Sequence, residues 1–254
     1  MKYERISSVE QYIEEHGSAS LEDLSSHFNV SVQTMRRDIA SLCAQGVIEK
    51  VYGGVVWKGS PVQFTVPAAI KRDQECAEEK RAIAALAAEQ VEDGQVIFLD
   101  SGTTVCRMVP FLSTRKNLTV VTHSLLVLDQ LRAVPMIRTI VLGGELDHSA
   151  NCMIPDTVDY QFDQAFVATV GIDVEGCTNT NLSEARIKSY VLGHSQRGWI
   201  LADHRKYVSR GCRRFACWKD ISGVITDGAG ADWLDRLSKE QNLKILRADM
   251  RKSI

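Results

Sequence analysis

From residue 96 onward, short apolar runs of β-prone residues alternate with stretches of helical periodicity, and this pattern restricts the possible folds more than any other. The apolar runs predict strands at residues 96–99, 118–121, 137–142, 165–170, 199–202, 221–225 and 243–246. Helices fit between them, notably over residues 183–196 and 232–241. Apolar strands that alternate with helices are typical of a mainly parallel sheet covered on both faces. The sequence therefore predicts a C-terminal α/β domain.

The first sixty residues show a different pattern, in which apolar positions recur at helical spacing. Boundaries of three successive helices are marked by Gly17, Ser20, Ser31 and Gly46. Serine is a favoured helix N-cap, and Asp23 follows Ser20 at the spacing of a capping box. Two β-prone runs around a pair of glycines then predict a hairpin. Residues 1–57 are therefore predicted to form a helix-turn-helix with a hairpin wing.

The polar face of the third helix has the side chains expected of a recognition helix. In the major groove of DNA, an amide side chain can bind adenine and a guanidinium group can bind guanine. The candidate DNA-binding residues are Ser31, Gln33, Thr34, Arg36 and Arg37 at this helix, and Lys50, Tyr52, Gly53 and Gly54 in the hairpin. Acids outnumber bases in the segment. A small helical domain without a DNA role is therefore the alternative.

Overall charge and composition argue against a polybasic, a membrane-spanning or a secreted protein. The net charge of −2 excludes a chain that is polybasic throughout, so any DNA binding depends on a local arrangement of basic side chains. No apolar run approaches the ~20 residues that cross a bilayer, and the first residues lack the pattern of a signal peptide. The seven cysteines are scattered, which is typical of reduced thiols. We therefore expect a soluble, cytoplasmic protein.

A metal site is not expected from the spacing of the candidate ligands. His194, His204, Cys212 and Cys217 lie close in sequence, but they match no compact zinc pattern. We expect neither a metal nor another cofactor.

A linker is predicted between the two domains. Glycine, serine and two prolines interrupt the periodicity after the hairpin, so residues 58–73 are assigned to the linker. Residues 74–254 then form the α/β domain, which begins with an alanine-rich helix.

Polar loops follow several of the predicted strands, and ligands of parallel α/β sheets bind beyond the carboxyl ends of strands. In the first loop, at residues 100–104, hydroxyl groups and a glycine precede a helix and so favour an anion. The candidate residues of the first three loops are Asp100, Ser101, Gly102, Thr103, Thr104, Thr122, His123, Ser124, Gly143 and Gly144. Each loop alone is equally an ordinary tight turn. Their succession at equivalent strand ends predicts a binding site.

Later strands are followed by charged residues. Asp173 follows the fourth strand, and Asp203 and Lys206 follow the fifth. Between them, Glu184 and Lys188 are four residues apart and share one face of a predicted helix. A surface ion pair is the alternative, and such a pair contributes only roughly 0.3–0.5 kcal/mol. The position of the pair just after a polar loop favours a role in ligand binding.

Both parts of the chain resemble one family. The run from Phe28 to Ile39, with Gly46 and Tyr52-Gly53-Gly54-Val55, resembles the N-terminal signature of the DeoR family of sugar-metabolism repressors. The hairpin is also similar to that of the inositol-catabolism repressors. The family's effector domain, related in fold to sugar-phosphate isomerases, is matched at residues 79–80, 97–104, 143–145, 171–173, 184, 188, 201–203, 206 and 226–227. His123 and Arg205 depart from the family pattern, which usually has asparagine and serine there.

The resemblance implies a repressor of a carbohydrate-catabolism operon that a phosphorylated sugar or sugar acid releases from operator DNA. The loop at residues 101–104 would hold the phosphate, and Asp173, Glu184, Lys188 and Lys206 would surround the sugar. A homodimer or homotetramer would place paired recognition helices on repeated half-sites. The alternative is a sugar-phosphate isomerase with an appended regulatory domain, in which Asp173, Glu184 and Lys188 supply acid, base and electrophile. The DNA-binding domain favours a regulator that is not an enzyme.

Overall fold

The chain divides into two compact units, residues 1–64 and 65–254, in a computed structural model. The structure describes residues 2–16, 18–44, 46–51, 54–57, 72–228 and 232–249. The division falls inside the linker predicted at residues 58–73, of which all but the last two residues lie outside the described residues. Within the described residues, no helix has both the length and the apolar character needed to span a membrane.

The N-terminal unit is a small helical domain with a three-stranded antiparallel sheet. Its elements are α1 (Lys2–His16), β1 (Ser18–Ser20), α2 (Leu21–His27), α3 (Val32–Ala44), β2 (Ile48–Val51) and β3 (Gly54–Trp57). The strand order is β1-β3-β2, so the predicted hairpin pairs with a further strand that precedes α2. Strand β1 was not predicted, because three residues are too few to show an alternating pattern.

Serine caps begin both helices of the predicted helix-turn-helix. The backbone N–H of Asp23 donates to Ser20 Oγ at 3.0 Å, and that of Thr34 donates to Ser31 Oγ at 3.2 Å. The predicted apolar stripes meet in one buried cluster, which includes Val9, Ile13, Leu24, Met35, Ile39 and Leu42. Caps and stripes together confirm the winged helix-turn-helix predicted for this unit.

The C-terminal unit is an α/β domain with two further small antiparallel sheets. In chain order, it contains α4 (Ala77–Glu89), β4 (Val96–Leu99), α5 (Thr103–Cys106), α6 (Val109–Leu112), β5 (Thr119–Thr122), α7 (Leu125–Leu131), β6 (Arg138–Val141), β7 (Glu145–Asp147), β8 (Cys152–Ile154), β9 (Phe162–Ala168), β10 (Gly171–Asp173), β11 (Gly176–Asn179), α8 (Leu182–Gly193), β12 (Ser195–Ala202), β13 (Arg213–Ala216), β14 (Gly223–Thr226), α9 (Asp232–Gln241) and β15 (Lys244–Arg247). Short 3₁₀ helices span His204–Tyr207 and Trp218–Asp220.

Seven parallel strands form the central sheet, in the order β15-β14-β12-β9-β4-β5-β6. Neighbouring strand residues point to opposite faces, so Phe98 packs with α8 and α9 while Ile97 and Leu99 pack with α4 to α7. Both faces are thus covered, and the mainly parallel α/β fold is confirmed. All strands of this sheet correspond to predicted runs, with ends shifted by a few residues.

Several local features differ from the predictions. The helix expected after Ser101 is broken into α5 and α6, and Pro110 lies in the first turn of α6. The helix predicted at residues 183–196 ends at Gly193, because β12 begins at Ser195. The antiparallel pairs β7-β8 and β10-β11-β13 were not predicted either. Their strands are three or four residues long, and β13 pairs with a strand distant in sequence.

Candidate functional site

Helix α3 buries one face and exposes the other. Met35 and Ile39 are buried, whereas Gln33, Arg36 and Arg37 are exposed. The exposed side chains are those predicted to contact DNA bases. Thr34 is half-buried, and its hydroxyl lies 2.9 Å from that of Ser31, so these two predicted residues support the turn into the helix.

The hairpin candidates are only partly described. Lys50 lies in β2 and Gly54 begins β3, and these strands pair as predicted. The side chain of Lys50 and the residues Tyr52 and Gly53 lie outside the described residues.

A partly buried ion pair joins α3 to α1. Asp38 is 1% exposed, and Arg5 Nε donates to its carboxylate at 2.8 Å. The hydrogen bond to Asp38 raises the pKa of Arg5. From the sequence, Asp38 was counted only as one of the acids that outnumber the bases in this segment. Its burial could have been predicted from its position, because Asp38 lies between Met35 and Leu42 on the apolar stripe of α3.

Asp100 lies at the carboxyl end of β4 and is fully buried. Its carboxylate accepts from Lys188 Nζ at 2.5 Å and from the backbone N–H of Ala168 at 2.9 Å, and its other oxygen lies 3.5 Å from His123 Nε2. Burial alone would raise the pKa of Asp100, but Lys188 and His123 outweigh it and hold the pKa well below its ordinary value. Asp100 is therefore an ionised group inside the domain.

Lys188 and Glu184 of α8 have separate partners. The side chain of Lys188 is 4% exposed and also donates to the carbonyl oxygen of Ala168 at 3.0 Å. Glu184 accepts from Ser101 Oγ at 2.6 Å and from Asn179 Nδ2 at 3.3 Å. These contacts exclude the alternative of a surface ion pair between the two. The N-cap of α8, Asn181, positions Glu184, because the backbone N–H of Glu184 donates to Asn181 Oδ1 at 3.1 Å.

The loop that follows Asp100 packs tightly on the neighbouring strand β9. A Cβ added at Gly102 would overlap the Cβ of Ala168. The φ of Gly102 is an ordinary −68°, so this glycine is required by packing rather than by a special backbone conformation. The next helix, α5, has only four residues. The loop hydroxyls, rather than a helix terminus, are therefore the groups that this loop could offer to an anion.

A cavity at the carboxyl ends of β4 and β9 brings together residues from several segments of the domain. Its lining includes the expected residues Ser101, Gly102, Thr103, Thr104, Glu184, Lys188 and Lys206. Arg72 and Asn179 also line it and were not among the candidates. Asn179 belongs to the polar loop that the sequence predicts before α8. Arg72 falls in the predicted linker, where nothing in the sequence indicates a binding residue. Hydroxyl, amide, carboxylate and cationic groups thus face one space.

Other candidate residues do not line this cavity but stabilise the strand ends that form it. Thr122 Oγ1 donates to the carbonyl oxygen of Leu99 at 2.7 Å, and Ser124 caps α7 by accepting from the N–H of Val127 at 3.3 Å. His123 is buried and lies 3.0 Å, through Nδ1, from the carbonyl oxygen of Met153. These three are not among the lining residues, and they hold the ends of β4 and β5 in place.

The remaining candidates lie elsewhere. Gly143 is exposed, and Gly144 at φ 138° allows the close approach of Ile154 within the β7-β8 hairpin. Asp173 lies in β10, where its carboxylate accepts from the N–H of Glu175 at 2.8 Å. Asp203 caps the 3₁₀ helix at residues 204–207 and lines a second cavity.

The second cavity adjoins the first and is rich in cations. Arg72 and Lys206 line both cavities, and Lys80 and Arg205 line the second one only. Burial lowers the pKa of Lys80, whose ammonium group donates to the carbonyl oxygen of Arg72. Positive charge is therefore concentrated beside the hydroxyl loop.

Each of these two regions falls inside a recognised domain. Residues 5–60 match the DeoR-like helix-turn-helix domain, and residues 75–228 match the DeoR C terminal sensor domain. The chain belongs to the DeoR family. The exposed face of α3 lies in the DeoR helix-turn-helix domain, and the hydroxyl loop with α8 lies in the DeoR sensor domain.

Relatives within the DeoR family extend over nearly the whole chain. The chain is 34% identical over 234 residues to the HTH-type transcriptional regulator IolR of Bacillus subtilis, which covers 89% of this chain and 91% of that protein. It is 30% identical over 230 residues to the glycerol-3-phosphate regulon repressor of Escherichia coli, with 88% and 90% covered. This DeoR-family chain is a DNA-binding transcription regulator and not an enzyme. The isomerase alternative has no support.

Solved structures show a more distant likeness. A D-ribose-5-phosphate isomerase in complex with phospho-erythronic acid has 20% identity and a TM-score of 0.39, with 52% of this chain and 54% of that chain covered. A probable sor operon regulator from Shigella flexneri has 13% identity and a TM-score of 0.39, with 61% and 86% covered. Likeness at this level has no bearing on what the DeoR-family chain binds.

Proposed function

We propose that this protein represses a carbohydrate-catabolism operon and that a phosphorylated sugar or sugar acid, bound in the cavity beside Ser101, releases it from operator DNA. The observation that carries the proposal is the meeting of a hydroxyl loop with cationic side chains at the carboxyl ends of parallel strands. Relatives named as a glycerol-3-phosphate regulon repressor and a lactose phosphotransferase system repressor agree with this class of effector.

The loop at residues 101–104 binds the phosphate in this proposal. A sugar phosphate has about −1.5 to −2 charges near pH 7, which hydroxyl donors and the cations Arg72 and Lys206 would offset. Glu184 and Asn179 are placed to exchange hydrogen bonds with sugar hydroxyls. Lys188 is held by Asp100, so its ammonium group is fixed before the effector arrives. A site fixed in advance loses less entropy on binding.

Helix α3 provides the DNA contacts in this proposal. Gln33, Arg36 and Arg37 would bind base edges in the major groove, and the hairpin with Lys50, Tyr52, Gly53 and Gly54 would follow the DNA backbone. A homodimer or homotetramer would place these helices on repeated half-sites, in the cytoplasm where bacterial operator DNA lies. The effector would bind one quaternary arrangement more tightly than another and so shift the population away from the DNA-bound form.

A thermal-shift measurement on the purified full-length chain, without DNA, tests the sensor half. A phosphorylated effector at 100 times its Kd should add about 2.7 kcal/mol of stability, whereas its unphosphorylated counterpart should add much less. Lys206→Ala should reduce the shift, and the exposed residue of α9 changed in Lys239→Ala provides the matched control. Equal shifts for a sugar and its phosphate, or a full shift in Lys206→Ala, would refute the phosphate assignment.

A further inference from the structure

Three different metal-ligand side chains converge beside the second cavity. Among the residues that the structure describes, Cys76, Glu79 and His204 form the one group of at least three ligands whose binding atoms all lie within 4.8 Å of one another. All three are partly buried. The group differs from the sequence candidates, because it joins His204 to the start of α4 rather than to His194, Cys212 or Cys217. Spacing along the chain could not reveal this, since the ligands come from distant segments.

A carboxylate behind the histidine orients its ring. His204 Nδ1 lies 2.5 Å from Asp227 Oδ2, and the side chain of Asp227 is 2% exposed. With the Nδ1 proton directed to Asp227, Nε2 is the nitrogen available to an ion. Histidine ligands of metals are commonly held in this way by a carboxylate, which fixes the tautomer and makes the imidazole a stronger ligand. This arrangement is a second observation, independent of the cluster itself, that favours a metal.

The cysteine is held in an uncommon backbone conformation. Cys76 has φ 51° and ψ 44°, in the left-handed region that few residues other than glycine adopt. It directly precedes α4, and Glu79 lies in the first turn of that helix. Backbone strain of this kind is common at ligand sites. The ligand atoms of Cys76, just before α4, and of Glu79, in its first turn, lie within 4.8 Å of each other.

The charges of the ligands themselves suit a divalent ion, and they would offset the cations Lys80, Arg205 and Lys206 that line the same cavity as Cys76. A thiolate and a carboxylate would together neutralise two positive charges, and Asp203 and Asp227 lie close by. Arg205 contacts the Cys76 side chain and pairs with Glu75 at 3.1 Å. The Arg205 side chain is 50% exposed, so it can keep its pairing with Glu75 while an ion takes its place at the sulfur.

We propose that Cys76, Glu79 and His204 bind a divalent transition-metal ion, for which Zn²⁺ is the best match. One sulfur, one nitrogen and one oxygen ligand with a water molecule in the fourth position complete a tetrahedral zinc site. Binding releases the proton of the Cys76 thiol to solvent. The ion ties α4 to the 3₁₀ helix at residues 204–207, which also carries Lys206 of the effector cavity. Metal binding itself is independent of the proposed effector.

Cobalt titration of the full-length protein, after treatment with a chelator and without sugar or DNA, tests the site. Co²⁺ bound by a thiolate gives a sulfur-to-metal charge-transfer band in the near ultraviolet. We expect one equivalent to bind the wild type with this band and Zn²⁺ to displace it. Cys212→Ser is the matched control, because Cys212 is an exposed cysteine outside the cluster, and it should behave like the wild type.

Variants of the ligands give graded outcomes. Cys76→Ser should lose the charge-transfer band, and His204→Gln should weaken Co²⁺ binding at least tenfold. Asp227→Asn should keep the band and weaken binding by roughly 10–100-fold, as expected for a group that positions a ligand. Circular dichroism checks that each variant is folded. No stoichiometric binding by the wild type, or an unchanged band in folded Cys76→Ser, would overturn the proposal.

Discussion

Lys188 of α8 and Asp100 at the end of β4 lie 88 residues apart in sequence, and their side chains meet in the domain interior with an N–O distance of 2.5 Å. This pair joins the helix that carries Glu184 to the strand that ends in the hydroxyl loop. Removing one partner of a buried pair is much more costly than the pair is worth, because a buried charge is left without compensation.

Loss of Lys188 should therefore destabilise the sensor domain. Lys188→Met leaves the buried Asp100 carboxylate unpaired, and we expect a loss of about 3–5 kcal/mol in the free energy of unfolding, measured in urea. Arg186→Met, an exposed position on the same helix, is the control. The double change Asp100→Asn with Lys188→Met should recover part of the loss. A single variant that costs less than about 1 kcal/mol would show that the pair does not act as described.

Asp100 should also contribute to the loss of stability in acid. Its pKa is held below the ordinary value in the folded chain. The ionised carboxylate therefore stabilises the fold at pH values above about 3.9, the ordinary pKa of an unfolded aspartate. That contribution is lost as the pH falls below this value and through the lowered folded pKa. In urea unfolding at a series of acid pH values, the free energy of unfolding should fall more steeply with decreasing pH for the wild type than for Asp100→Asn. Parallel plots of this free energy against pH for the two proteins would contradict the prediction.

Gly102 and Ala168 should compensate for each other. Gly102→Ala places a methyl group where the Cβ of Ala168 lies, and we expect a loss of about 1–3 kcal/mol, as for other overpacked sites. Adding Ala168→Gly should restore much of the stability. Gly143→Ala is the control, because no atom lies within 4 Å of its added Cβ. Thermal unfolding measures all four proteins, and a double variant no better than Gly102→Ala would exclude this packing contact.

Arg36 and Arg37 should matter for DNA and not for folding. Both are exposed on α3, so Arg36→Ala or Arg37→Ala should leave the melting temperature nearly unchanged. Loss of a contact with a base should weaken operator binding by roughly 1–3 kcal/mol per arginine, and loss of a phosphate contact should also weaken it. Fluorescence anisotropy with labelled operator DNA measures this, and Ala40→Ser on the same helix is the control. Unchanged affinity in both arginine variants would remove α3 as the recognition helix.

The central sheet was predictable because its strands are apolar runs long enough to stand out from the helices between them. Strands such as β1, β7 and β10 were not, since three residues show no period and their pairing depends on tertiary contacts. The strand-end rule likewise found the loop beginning at Ser101 and the helix with Glu184. It could not distinguish lining residues from supporting ones such as Thr122, because both are polar and occupy the same position after a strand.

Partners of individual side chains were the least predictable feature of the site. Helical spacing put Glu184 and Lys188 on one face of α8, and both line the same cavity, but it did not reveal that one contacts Ser101 and the other Asp100. Those contacts depend on how α8 packs across the sheet. Arg72 shows the same limit, since a position in a predicted linker gives no indication that its side chain lines the cavity.

Release of this repressor from operator DNA by a phosphorylated effector is tested most directly by measuring operator affinity with and without the effector found by thermal shift. The wild type should lose about 5–150-fold in affinity, the usual range of allosteric coupling, and the unphosphorylated sugar should have little effect. Thr103→Val with Lys206→Ala should bind operator as tightly as the wild type but need much more effector for release. A wild type whose affinity is unchanged by the effector, or a double variant released at the wild-type concentration, would contradict the account.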